Sequence, residues 1–243
     1  MDPKAVSDYD PHAFPPFAVA VDIVVMTVVD KDLRVLLIRR AVPPFRDAWA
    51  LPGGFVRPDE DLNNAAAREL AEETSISQAP DHLEQLGAYG HPDRDPRMRV
   101  ISVGYWAIVP NLPVPKGGSD AAYAELVPVA ELESGRIRLA FDHEQIVTDA
   151  VARARSSLEN STVASRFCPS EFTISDLRKV YNAIWDTELD PGNFQRKIKQ
   201  VDGFIRPVGE TTRSGDKGGR PASLWSAGPV QKLNPPLSRP DLS

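Results

Sequence analysis

Three glutamates, Glu69, Glu72 and Glu73, sit close together in the stretch 61–74 (DLNNAAARELAEET), which is rich in Ala, Leu and Glu and reads as a helix. At about 100° per residue they share one arc of roughly 100° on the helical wheel. Arg68 lies beside that arc, four residues before Glu72, while Ala66, Ala67, Leu70 and Ala71 occupy the neighbouring arc and can face a core. Like charges three and four residues apart oppose a helix by about a few tenths of a kcal/mol each, so the cluster asks for a cation. Hard oxygen ligands favour Mg²⁺ or Mn²⁺ over zinc. Such an ion bridges a diphosphate and activates water. From the glutamate spacing alone, a solvated Glu-rich helix carrying an Arg68–Glu72 pair is the competing reading.

A second chemical pattern lies near the other end of the chain. In 191–201 (PGNFQRKIKQV), Phe194, Ile198 and Val201 share one helical face, and Asn193, Arg196, Lys197 and Gln200 share another. The latter four can donate to base edges and phosphates in a major groove. Two short strand-like runs, 204–208 (FIRPV) and 221–225 (PASLW), flank a Gly-rich loop bearing Arg213, Lys217 and Arg220. Together they read as a β-hairpin wing whose cations meet the phosphate backbone. A small protein-interaction domain with a solvated polar helix fits the same pattern.

The elements that must position these groups fall into two units. Runs 17–29 (FAVAVDIVVMTVV), 33–40, 83–89, 99–109 and 123–129 are strand-like. The segment 50–60 (ALPGGFVRPDE) carries turn signals, and 142–158 has Ile146, Ala150, Val151 and Ala154 at helical spacing. This is an α+β domain over 17–158. A polar connection, 159–170, leads to a second unit over 171–228 ordered helix, turn, helix, hairpin. There, Thr173 and Asp176 form a capping signal before the stripe Ile174, Leu177, Tyr181, Ile184 and Trp185. Asp190-Pro191 opens the next helix. Residues 1–16 read as a flexible arm, and the proline-rich 229–243 as a disordered tail.

Charge divides along the same boundary. The net charge is -6, yet the first 160 residues carry 16 basic and 25 acidic groups and the last 83 carry 12 and 9. The overall acidity therefore does not argue against nucleic acid for the second unit. The one cysteine, Cys168, excludes an intrachain disulfide framework. The longest apolar run, Phe17 to Val29, is broken by Asp22 and is too short to span a bilayer. The expectation is a cytoplasmic protein with no membrane partner.

Gly54, five residues, Glu60, seven residues, then Arg68-Glu69-Leu70-Ala71-Glu72-Glu73-Thr74-Ser75-Ile76 resembles the Nudix box. The resemblance implies an N-terminal α/β/α sandwich, with Glu69, Glu72 and Glu73 as metal ligands and Glu60 and Arg68 as their orienting, catalytic partners. Ser75 stands where the box has glycine, a position after the helix at which a side chain costs on the order of 1 kcal/mol or shifts the turn. The family's further acidic base has two candidates, Asp120 and Glu125. Arg94, Arg97 and Arg99 are candidates for pairing with a ligand's phosphates, or form local Asp–Arg pairs. Trp49 and Phe45 either stack on a base or pack in the core.

VDIVVMTV (21–28), ALPGGFV (50–56), LEQLGAYGHPDRDPRMRVISVGYWA (83–107), LAFDHEQIV (139–147), NFQRKI (193–198) and GRPASLW (219–225) extend the likeness. Over about residues 17 to 226 the chain resembles the Nudix-related transcriptional regulators of NAD metabolism, the NrtR family. That implies a C-terminal winged helix-turn-helix and a repressor of NAD biosynthesis or salvage genes. The Nudix-like domain would sense ADP-ribose, with no significant hydrolase activity. It further implies a homodimer on near-palindromic double-stranded operator DNA, with half-sites about 34–36 Å apart or a multiple of that. The competing function is an active hydrolase of ADP-ribose, or a related nucleoside diphosphate derivative, carrying an accessory DNA-binding domain.

Overall fold

The computed structural model describes residues 10, 15–74, 80, 82–112, 121–212 and 221–240. Its first half is built on strand β1 (Ala18–Val29), which is buried along nearly its whole length. β1 pairs antiparallel with β2 (Asp32–Arg40) and β4 (Gly53–Phe55), and parallel with β6 (Val100–Ile108). β3 (Trp49–Ala50) and β7 (Ala121–Pro128) flank β2, and β5 (His82–Tyr89) closes the other edge. The seven strands form one mixed sheet.

Alternation along β1 explains why its run is apolar throughout rather than every second residue. Val21, Ile23 and Val25 face one side, where Ala65, Ala66 and Leu70 of helix α1 (Leu62–Thr74) pack. Val24 and Met26 face the other, against Ile146, Val147, Ala150 and Val151 of α3 (His143–Asn160). A short helix, α2 (Val129–Glu133), precedes α3. The sheet is therefore covered on both faces, the α/β/α sandwich that the box implies. Within α1 the buried stripe is shifted by a fraction of a turn from the wheel reading. Ala65 is buried and Ala71 is exposed, because Glu69 and Glu73 are themselves turned inward.

The second unit follows the sequence expectation closely. Helix α4 (Ile174–Trp185) opens with a complete capping box between Thr173 and Asp176. Helix α5 (Pro191–Gln200) is capped by the Asp190 side chain, with proline in its first turn. Tyr181 locks the helix pair, edge-to-face on Trp185 at 4.9 Å and on Phe194 at 5.2 Å. Strands β8 (Ile205–Thr211) and β9 (Ser223–Ala227) form the hairpin, and Phe172 bridges to Trp225 to fix it against the start of α4.

Two linker expectations give way. The connection after residue 159 is not loose: α3 runs to Asn160, and a 3₁₀ helix over Thr162–Phe167 buries Ala164 and Phe167 beside Cys168. The proline-rich segment after residue 228 is not a disordered tail over its described part, 229–240. It lies back against the C-terminal end of α3 as a strap. Leu237 N donates to Glu159 O and Leu233 N to Asn160 O, both at 2.9 Å, and Ser161 bridges to Lys232. Leu233 and Leu237 are buried in the core, and Arg239 donates through Nη2 to Trp185 O at 2.7 Å. Proline composition suppresses helix and sheet but not the burial of two leucines between prolines.

The two units share one core. Trp185 Nε1 donates to Arg155 O at 3.0 Å, Arg155 Nε donates to Ile184 O at 3.1 Å, and apolar side chains run without a break from Val24 through Ala154 to Phe204. Because the strap is part of that core, Leu233→Ala should cost about 2–3 kcal/mol. This will be read as a lower urea midpoint; a change inside about 0.5 kcal/mol would show the strap to be unpacked.

Candidate functional site

A cleft opens at the end of the sheet where β1, β4, the loop 90–99 and the start of α3 meet. Its lining includes Asp22, Arg40, Gly53, Phe55, Glu73, Arg94, Arg97, Phe141 and His143. Asp22 is buried in the middle of β1 and accepts from three elements. Arg94 Nη2 lies at 3.1 Å and Ser102 Oγ at 2.5 Å, and His143 Nε2 stands 3.3 Å from its other oxygen. His143 Nδ1 accepts the Leu51 N–H at 2.9 Å, so its ring proton sits on Nε2, facing Asp22. Burial pushes the Asp22 carboxyl up, but His143, Ser102 and Arg94 outweigh it and hold the group well below the usual carboxylate range. Arg94 also forks onto Asp142 at 2.9 and 2.6 Å, tying the loop to the first turn of α3.

The box residues build the neighbouring wall. Arg68 is their hub: Nε and Nη2 grip Glu60 at 2.9 and 2.5 Å, and Nη1 reaches Glu69 at 2.6 Å and Glu72 at 3.2 Å. Its Nη2 also donates to Phe55 O, which fastens β4 to α1. Glu60 is held down at about 2 by the Arg68 hydrogen bonds. Burial pushes Glu69 up against the pull of Arg68. The box glycine has a direct cause, since a Cβ on Gly54 would lie 2.3 Å from Glu69 Oε1.

These contacts decide how the carboxylates stand toward a metal. Glu69 and Glu72 are turned onto Arg68, Glu72 also takes Arg57 Nη2 at 3.3 Å, and Glu73 accepts Gly53 N–H at 2.9 Å. Among the described residues no three His, Cys, Asp or Glu side chains converge as a metal ion needs. In this arrangement Glu69 Oε1, both Glu72 oxygens and Glu73 Oε2 accept from arginine or backbone donors, so a divalent ion held by these three would have to draw them away from those partners. Of the three, Glu73 lines the cleft.

The other sequence candidates divide. Arg94 and Arg97 line the cleft, but Arg94 is buried against Asp22 and Asp142 rather than presented to a phosphate. Arg97 is exposed and paired with Asp95. Arg99 donates to Gly90 O outside the lining. Glu125 is exposed on β7, opposite Leu37 and away from the cleft. Trp49 packs against the core under Arg39, while Phe45 meets Phe141 edge-on at 4.9 Å. Asp120 and Ser75 lie outside the described residues.

Sequence reading missed Asp22, Arg40, Phe141, Asp142 and His143. A lone carboxylate inside an apolar strand was the one available signal, and it registered only as a break in the apolar run.

On the second unit, Asn193, Arg196, Lys197 and Gln200 are all exposed on α5, opposite buried Phe194 and Ile198. Arg196 Nη2 donates to Asn193 Oδ1 at 2.9 Å, presenting the pair as one donor edge. Arg213, Lys217 and Arg220 lie outside the described residues. No helix among the described residues is long and apolar enough to cross a membrane.

The Arg68–Glu60 pair sets a pH expectation. A carboxyl lowered from 4.5 to about 2 adds stability that is complete above pH 4.5 and is lost as pH falls through about 2. Urea unfolding across that range should therefore fall less steeply in Arg68→Gln than in the parent protein. Equal slopes would show that Arg68 does not hold Glu60.

Comparison with known proteins agrees with this architecture. The NUDIX domain family matches residues 16–150, and the NrtR DNA-binding winged helix domain matches residues 164–227. The ADPR responsive transcriptional repressor NtrR of Acinetobacter baylyi is 30% identical over 90% of this chain and 86% of its own. The ADP-ribose pyrophosphatase of Methanocaldococcus jannaschii is 42% identical over 54% of this chain and 72% of its own. Among solved structures, Shewanella oneidensis NrtR complexed with a 27mer DNA matches with a TM-score of 0.73 at 29% identity, covering 88% of this chain and 99% of that one. The NUDIX domain of that protein complexed with ADP ribose matches at 0.56 with 33% identity, covering 63% and 99%. A Nudix cleft and a winged helix fused through one helix, matched by relatives along almost its whole length, place this chain in the NrtR family of Nudix-related transcriptional regulators.

Proposed function

We propose that the protein is a DNA-binding repressor of genes for NAD biosynthesis or salvage, and that ADP-ribose in the Nudix cleft relieves its hold on DNA. The observation that carries this reading is helix α3. Asp142 and His143 tie its first turn into the cleft wall through Arg94 and Asp22. Its last turns accept hydrogen bonds from Tyr181 and Trp185 of the winged helix. A ligand that contacts the cleft therefore acts on the element that sets where α5 points.

The mechanism is a population shift. ADP-ribose binds the arrangement of the two winged helices of a dimer that cannot span both half-sites, and operator affinity falls. By linkage, operator DNA weakens ADP-ribose binding by the same factor. Asn193 and Arg196, near the start of α5, face base edges, and Lys197 and Gln200 extend the same surface. The same reading carries a homodimer on a near-palindromic operator and a cytoplasmic location. No step of this mechanism runs through a metal.

A mobility shift on the promoter of the gene's own neighbourhood, with and without ADP-ribose, tests the reading. The shifted band should disappear as ADP-ribose rises. Arg196→Ala with Lys197→Ala should abolish the shift and leave ADP-ribose affinity within about twofold, since the cleft is untouched. A double variant that still binds the operator would misplace the recognition helix.

The likeness to an ADP-ribose pyrophosphatase favours a second reading, turnover of ADP-ribose in the same cleft. Following ADP-ribose by chromatography in the presence of Mg²⁺ separates the two. Turnover at ordinary enzyme rates, about 1–10³ per second, would make the domain a catalyst rather than a sensor.

A further inference from the structure

Phe55, Phe141, Arg40 and Arg97 line the cleft, and Phe45 joins them through its edge-on contact with Phe141. Phe45 and Phe55 are exposed, at 46% and 41%, and Phe141 is half-buried. Exposed rings of this size beside a cleft suit a flat partner. Arg97 lies 5.3 Å from the Phe55 ring and 6.0 Å from Phe141, with its charge offset by a fork onto Asp95.

Arg40 differs. It ends β2 with its Cζ 4.8 Å over the Phe141 ring. Its Nε donates to Pro44 O at 2.8 Å and its Nη2 to Val42 O at 3.4 Å. These partners are neutral carbonyls. Arg40 is half-buried and makes no ion pair with any described residue; burial and then the nearby Arg97 push its pKa down, while Asp95, Glu73 and Asp22 act against them from beyond ion-pair distance. A half-buried cation beside a like charge, with carboxylates near it but none in contact, gains when an anion joins it directly. The ring beneath the guanidinium takes one face, and its in-plane N–H groups remain suited to a forked contact with phosphate oxygens.

We propose that Arg40, with Arg97 beside it, holds the diphosphate of the effector, and that Phe55 and Phe45 carry its base. This rests on the reading of ADP-ribose as the ligand of the cleft. It reassigns the phosphate contact from Arg94 and Arg99 to a residue at the end of β2. It also makes the loop 41–48 part of the ligand site, since Arg40 is held by that loop through Pro44, Val42 and the backbone bonds Asp47 N to Arg40 O and Arg40 N to Ala48 O.

The test is titration of the full-length protein with ADP-ribose and, separately, with adenosine. Arg40→Ala should weaken ADP-ribose by about tenfold or more and leave adenosine within about twofold. Arg40→Lys keeps the charge and loses the fork, so it should fall between the two. Phe55→Ala should weaken both ligands. Arg99→Ala, outside the cleft, should change neither. Unaltered ADP-ribose binding in both Arg40 variants would overturn the assignment while the ADP-ribose reading stands. Equal loss of ADP-ribose and adenosine would also overturn it, by showing that Arg40 only shapes the cleft. If the parent protein does not bind ADP-ribose, the underlying reading fails instead. Should Arg40→Ala not fold, Arg40→Lys decides alone, since full affinity would rule out the forked contact.

Discussion

Burying a carboxylate in the middle of the central strand is tolerable only while its charge is answered from several sides. Asp22 is answered by Arg94, Ser102 and His143, which belong to the loop 90–99, to β6 and to α3. Removing one of those donors would leave part of a buried charge unpaired, a loss of about 3–5 kcal/mol in comparable cases. The ion therefore fixes the position of three elements at once. It also shapes the box loop: a Cβ on Gly53 would lie 2.2 Å from Val21 O and 2.8 Å from Asp22 Oδ1, so only glycine lets β4 pass. The cleft exists where it does because these four segments converge on one carboxylate.

The two walls of the cleft are built on opposite logic. Around Asp22, one buried anion collects donors. Around Arg68, one cation collects Glu60, Glu69 and Glu72. The first network belongs to the face of the sheet that leads through α3 to the winged helix. The second belongs to α1 on the other face, remote from the DNA-reading elements. That asymmetry suits a sensor, because the wall connected to α3 is the one whose displacement reaches α5.

The fold was legible where local rules and burial agree. Two caps, Thr173 with Asp176 and Asp190 with Pro191, mark their helices as expected, and the faces of α5 sort as the wheel says. The box spacing located the cleft's second wall. What escaped depends on partners far away in sequence. Arg94 could be read only as a phosphate ligand or a local Asp–Arg pair because its partners, Asp22 and Asp142, stand 72 and 48 residues from it. Nothing in the spacing of the glutamates shows that Arg57 reaches Glu72 or that the Gly53 N–H reaches Glu73. Arg40 escaped for the opposite reason, since a cation closing a strand resembles any solvated edge. The proline-rich end was misread because Leu233 and Leu237 have no periodicity to announce their burial.

The strap has a consequence for how separable the two domains are. The chain passes from sensor to reader once through the 3₁₀ helix and then returns along residues 229–240 to the last turn of α3, so the junction is held twice. A break in the backbone between Asn160 and Phe172 would leave a C-terminal fragment still carrying the leucines and backbone donors that dock on α3. Two such fragments made as separate chains would have matching faces and would reassemble as partners, with affinity in place of the covalent link.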